Sequence, residues 1–196
     1  MLASITPLGE RGRHSRWGIT VTAFVLGATI AGAALGALAG ELGALIVPGT
    51  VGLGARLGAL AAAGLLAVAL DARAERVPGP RRQVNEDWLH AFRGWVYGLG
   101  YGAQLGFGLT TVVSSAALYL AVIAALATAD PGLGALVLGA FGAARGLIPL
   151  TAARVRRPEQ LIALHVRLDR WRGPARTVGT ATLGAIVAAA LIGALA

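Results

Sequence analysis

Apolar positions along this chain gather into five long blocks, residues 19–39, 53–70, 95–127, 133–153 and 177–196, and polar positions fall almost wholly between them. A helix needs about 20 predominantly apolar residues to cross about 30 Å of hydrocarbon. The pattern therefore predicts an all-α fold, a polytopic membrane helical bundle with five spans, forming one integral membrane domain over 1–196. The second block can be extended back to Leu42 with a break at Pro48 and Gly49. The third is too long for one upright helix, since its 33 residues would reach about 50 Å at 1.5 Å per residue. It must tilt, bend near Gly106 to Gly108, or start in the interface and enter the bilayer from about Leu105.

Two of the polar connections carry stripes of their own. In 81–94, Val84, Trp88, Leu89, Phe92 and the adjoining Trp95 follow helical spacing beside Arg81, Arg82, Glu86 and Asp87; in 158–172, Leu161, Leu164, Leu168 and Trp171 do so beside Arg167, Arg170 and Arg172. An apolar stripe opposite arginine, with Trp at its edge, favours headgroup depth. Both stretches read as cytoplasmic interfacial segments that anchor spans, with docking of a cytoplasmic partner as the alternative.

Composition agrees with a membrane protein, because 56% hydrophobic against 13% charged residues leaves too little polar surface to clothe a soluble domain. Charge adds a direction. All seventeen basic residues are arginine, and fifteen fall in 11–16, 73–93 and 154–176. Positive segments near span ends resist translocation, which puts these three on the cytoplasmic side of the inner (plasma) membrane, the N-terminus inside and the C-terminus outside. Topology accounts for the net charge of +8, so the expected partner is the lipid bilayer and not nucleic acid. An odd span number leaves room for a homodimer or a membrane partner subunit. The apolar run after Arg16 exceeds a signal-peptide core, and cleavage at Ala37-Leu38-Ala39 is not expected.

The chain has no cysteine and no lysine, which excludes disulfides, thiol redox chemistry, Schiff-base lysines and the P-loop lysine. His14, His90 and His165 are scattered without ligand spacing, and neither a metal nor a cofactor is expected. No Asp or Glu is read deep in a span, and Ser114 and Ser115 have no histidine at their depth, so the chain is not expected to be an enzyme.

Two periodicities remain. Glycine recurs every fourth residue at Gly32, Gly36 and Gly40 and again at Gly94, Gly98, Gly102 and Gly106, which lets helix backbones approach closely, within one subunit or between subunits. Tyr97, Tyr101, Gln104, Gly108, Thr111 and Ser115 step by 4, 3, 4, 3 and 4, and Tyr119 continues the line. That face either lines a cavity or hydrogen-bonds to neighbouring spans. Arg145 lies about 12 Å from the cytoplasmic end of the fourth block. Its head either snorkels to water or meets an anionic solute, with Gly142, Gly146 and Pro149 around it. Arg56, near the outer mouth of the second span, is placed to pair with Glu41.

The stretches AFVLGATIAGAALGALAGELG and ARLGALAAAGLLAVAL resemble the second and third helices of the DsbD/CcdA family of transmembrane thiol-electron carriers. GLGYGAQLGFG, GALVLGAFGAARGLIPL and TVGTATLGAIVAAALIGALA are similar to its fourth, fifth and sixth. The resemblance implies degenerate inverted repeats, echoed in FVLGA at 24–28 and LVLGA at 136–140. The family's first helix and its reactive cysteine have no counterpart here, and Ala103 and Gln104 stand where the family has Pro and Cys. What the resemblance then implies is a scaffold with a central cavity, shared with a broader group of amino-acid and sulfite exporters (LysE/TauE-like) and membrane proteins of methylamine utilisation. The expected function is an inner-membrane small-solute transporter or permease component without thiol redox activity, its path lined by Tyr97, Tyr101, Gln104, Thr111, Ser115 and Arg145. The alternative is a non-transporting membrane scaffold or assembly factor for a partner complex.

Overall fold

Thr6 and Pro7 start the first helix. The Thr6 hydroxyl accepts a hydrogen bond from the Gly9 N–H at 3.0 Å, and proline suits the first helical position because its φ is already helical and its missing N–H would have had no partner there. The computed structural model describes residues 5–73, 87–108 and 115–195, apart from the side chain of His90. Its helices are α1 (Pro7–Gly12), α2 (Trp17–Ile46), α3 (Leu53–Arg73), α4 (Trp88–Ala91), α5 (Gly94–Phe107), α6 (Ala117–Thr128), α7 (Pro131–Gly146) and α8 (Pro158–Leu195), with a 3-10 turn at Ile148–Ala152 after α7. No strand occurs among the described residues.

Among the described residues, four helical segments are long and apolar enough to cross a bilayer: Trp17–Ile46, Leu53–Arg73, Pro131–Ala152 and Pro158–Leu195. Five were expected. The difference lies in the third block, where α5 stops at Phe107 because Gly108 turns left-handed at φ 64° and its N–H returns to the Leu105 carbonyl at 3.1 Å. Glycine takes that conformation without the Cβ penalty, so it ends a helix cheaply. The chain is helical again from Ala117, but α6 has only 12 residues, about 18 Å of helix, and is too short to cross unaided.

The two expected interfacial stretches differ in structure. Residues 81–86 lie outside the described residues. The rest of that stretch is a single turn, α4, with Leu89 buried and Trp88 stacked on Tyr101 at 6.0 Å between ring centres, while Phe92 and Trp95 stay exposed. Half of the stripe therefore serves the protein core. The second stretch, 158–172, is continuous with the last span in one 38-residue helix that runs through Pro174.

The described chain divides into two compact units. The first takes residues from 5–32, 87–108 and 139–172. Its core is Ile5, Val21, Phe24, Leu89, Tyr97 and Tyr101. Here α5 runs parallel to α2 at backbone contact: Gly98 lies against the Thr20 carbonyl, Gly102 against that of Phe24 and Gly106 against that of Ala28. α7 runs antiparallel to the same helix, with Gly142 against Ala28 and Gly146 against Val25. A Cβ on Gly98, Gly102, Gly106 or Gly142 would collide with a backbone oxygen, so the glycines set the helix separation.

The second unit takes residues from 33–73, 115–138 and 173–195. Gly36 lies against Gly134, Gly40 against Asp130 and Pro131, and Gly43 against the Leu126 carbonyl. Ala39, Ala125 and Leu138 form one buried cluster beside these contacts, and Ala61, Val187 and Ala190 form another between α3 and α8. Gly32, in the first unit, is buried and approached by Gly142.

Candidate functional site

The first unit holds a buried carboxylate. Glu10, at 0% exposure, accepts hydrogen bonds from the Tyr97 hydroxyl at 2.6 and 2.7 Å to its two oxygens, from the Thr20 hydroxyl at 2.7 Å and from Arg13 Nη2 at 2.7 Å. Burial works against the charge on Arg13, but hydrogen bonds to Glu10 and Tyr97 outweigh it and hold the Arg13 pKa above its ordinary value. The cluster ties α1 to α2 and α5, and the Leu8 N–H bond to the Val155 carbonyl at 3.1 Å adds the chain after the 3-10 turn. The sequence pattern did not single out Glu10. The available signal was Thr6-Pro7, a helix start that makes a short helix before the first span and puts Glu10 inside it.

Arg145 donates from Nη1 to the Leu105 carbonyl at 3.1 Å, and its guanidinium sits 5.7 Å from the centre of the Phe141 ring. Leu105 lies in the last turn of α5, where carbonyls lack the usual i+4 donor and carry the negative end of the helix dipole, and Arg145 joins the Gly108 N–H as a second donor to it. The deep cation therefore caps a helix that ends early. In the second unit Asp71 does the converse for α6: its Oδ1 accepts from the Ala116 N–H at 2.8 Å and its Oδ2 from the Ser115 hydroxyl at 2.7 Å, at the positive end of that helix. Arg176 in turn donates from Nε to the Asp71 carbonyl at 3.1 Å, in the last turn of α3. Arg56 donates to the Val51 carbonyl at 3.1 Å and towards that of Thr128 at 3.5 Å, not to Glu41, so it closes the far end of α6.

The residues expected along a solute path are distributed over these caps. Tyr97 and Tyr101 are both buried, with ring centres 6.0 Å apart, the first bonded to Glu10 and the second under Trp88. Gln104 is half-buried on the same helix, Ser115 is bound to Asp71 in the other unit, and Thr111 lies outside the described residues. A shallow groove along α2, lined by Gly18, Ile19, Thr22, Ala23 and Leu26, contains no charged side chain. Sequence reading found Arg145 but not what it binds. It gave Asp71 no partner, because an acid at the end of an apolar block looks the same whether it faces water or another helix.

Arg145→Leu tests the cap. Losing a cation at a partly buried helix C-terminus should lower stability by about 1 to 2 kcal/mol, and Arg145→Lys should recover part of it. Thermal unfolding in detergent checks this. An unchanged or raised midpoint for the leucine variant would mean that Arg145 merely snorkels.

Among the described residues, fold and caps together define an all-helical protein with four helices long and apolar enough to cross a membrane, in which Arg145 and Asp71 cap helix ends. Comparison with known proteins gives the family. The methylamine utilization protein MauF of Methylorubrum extorquens is 34% identical over 150 residues, 74% of this chain and 52% of that protein. MauF of Paracoccus versutus is 33% identical over 141 residues, 68% of this chain and 50% of that protein. MauF of Methylobacillus flagellatus is 30% identical over 202 aligned positions, 97% of this chain and 68% of that protein. The chain belongs to the MauF family, and it spans about half the length of the first two relatives. No family model and no solved structure matches it.

This overturns the resemblance to the DsbD/CcdA and LysE/TauE-like families, and the inverted-repeat expectation loses its basis with it. The stretches that carried the resemblance are runs of Ala, Gly and Leu. Any tightly packed membrane helix favours such runs, so they report packing and not descent.

Proposed function

We propose that the protein is a non-transporting, non-catalytic membrane accessory factor in methylamine utilization, one that holds or helps to assemble a partner complex. Membership of the MauF family carries this reading. The geometry supports it over transport, since Tyr97, Ser115 and Arg145 already satisfy Glu10, Asp71 and the Leu105 carbonyl inside the protein. A solute would have to displace these bonds at the cost of leaving buried polar groups unpaired. Deleting the gene should abolish growth on methylamine while leaving growth on other substrates intact, and vesicles containing the purified protein should not accumulate labelled methylamine. Saturable uptake by such vesicles would overturn the reading.

The proposed topology keeps five crossings of the inner membrane. Two long helices, α2 and α3, separate the Arg segments at 11–16 and 73–93, which returns the chain to the same side. Among the described residues between 73–93 and 154–176, only Pro131–Ala152 is a helix long enough to span, so one more crossing is required for those segments to share a side, and we assign it to the third block, which contains α5 and α6. Discontinuous helices cross membranes where protein covers the break. Reporter fusions at the C-terminus and within 77–87 should report opposite sides, the latter cytoplasmic. Signals from one side would refute the fifth crossing.

A further inference from the structure

The arginines of the first unit converge. Glu10 bonds to Tyr97, Gly94 packs on Ser15 and Thr20, and Leu8 bonds to Val155, which gathers the chain around 11–16, 92–95 and 153–157 at one end of that unit. Arg11, Arg16, Arg93, Arg154, Arg156 and Arg157 are all exposed there, and no ion pair among the described residues engages any of them. Glu10 is buried and bound to Arg13, which among the described residues leaves Asp87 and Glu159 as the exposed acids nearby in sequence.

Depth decides what this surface meets. Arg16 directly precedes α2, Arg93 is the N-cap of α5, and Arg154 follows the 3-10 turn by two residues, so these three side chains start within one helical turn of a helix end. Phe92 and Trp95, 49% and 52% exposed, flank Arg93, a pairing of aromatic ring and cation that suits the headgroup layer. A soluble acidic partner would need basic groups that project beyond that layer.

We propose that this arginine end is a binding surface for the phosphate groups of anionic phospholipids in the leaflet it faces. Guanidinium groups pair with phosphate oxygens in two parallel hydrogen bonds, and each basic residue near a charged bilayer surface strengthens attachment about fivefold. The surface is independent of the accessory-factor reading and stands or falls separately from it.

The test uses the detergent-solubilised full chain, titrated in parallel with phosphatidylglycerol, phosphatidylcholine and inorganic phosphate, with bound lipid counted by native mass spectrometry. Phosphatidylglycerol should be retained over phosphatidylcholine, retention should fall as salt rises, and the Arg16→Gln, Arg93→Gln, Arg154→Gln triple variant should bind at least about tenfold more weakly. Equal retention of the two lipids, competition by inorganic phosphate at equal concentration, or undiminished phosphatidylglycerol binding by the triple variant would each overturn the proposal. If the triple variant does not fold, Arg154→Gln alone, on an exposed residue after the 3-10 turn, should weaken binding about fivefold, and no change would count against it. Retention of an acidic soluble protein in place of lipid would assign the surface to a different partner and also overturn it.

Discussion

Glu10→Ala is expected to destabilise the protein by about 3 to 5 kcal/mol, the usual cost of removing one partner from a buried charged cluster. Three donors lose their acceptor at once: the Tyr97 and Thr20 hydroxyls, both at 0% exposure, and the guanidinium of Arg13. The cost comes from what remains. Water cannot reach two buried hydroxyls, and Arg13 keeps a charge with its nearest anion gone. Glu10→Gln keeps an acceptor for Tyr97 and loses mainly the ionic bond, so its loss should be smaller by half or more. Unfolding in detergent by heat or denaturant measures both. A loss below about 0.5 kcal/mol for the alanine variant would show that the cluster is not what joins α1 to α2 and α5.

How much of this was legible beforehand depends on the distance over which each cause acts. Helices arise from local hydrophobic runs, so α2, α3, α7 and α8 were visible as blocks, and the 33-residue length of the third block required it to tilt, to bend near Gly106 to Gly108 or to start in the interface. Its outcome as two short helices was not readable, because what stabilises their ends comes from elsewhere in the chain. Arg145 reaches Leu105 across 40 residues and Asp71 reaches Ser115 across 44. No periodicity encodes such pairs. The tyrosine line on α5 was read as a face that lines a cavity or bonds to neighbouring spans; the partner of Tyr97 lies 87 residues earlier, in a helix that the hydrophobic pattern passes over. Small-residue runs misled in another way: they specify close packing in any membrane helix and so suggested a kinship that the MauF relatives replace.

Gly102→Val should have the larger structural effect of the two. Gly102 sits where α5 meets α2, and a Cβ placed on it would overlap the Phe24 carbonyl oxygen and press on the Ala28 backbone N. Neither atom can move as a flexible side-chain tip does, since both belong to the α2 hydrogen-bond ladder. The helices must therefore separate. Separation would pull Tyr97 from Glu10 and Tyr101 from Trp88, because all four depend on the spacing that Gly98, Gly102 and Gly106 set. Loss of that packing and of the buried hydrogen bonds together should exceed about 4 kcal/mol, beyond the range of ordinary substitutions. Gly179, which has open space around it on α8, provides the control: Gly179→Val inserts the same side chain without a clash and should change stability by no more than about 1 kcal/mol, since valine is the better helix former of the two. Comparing folded yield and unfolding midpoint of the two variants checks the claim. Equal behaviour would mean that α5 and α2 are held together by something other than backbone contact, and the parallel pairing of α5 with α2 would have to be redrawn.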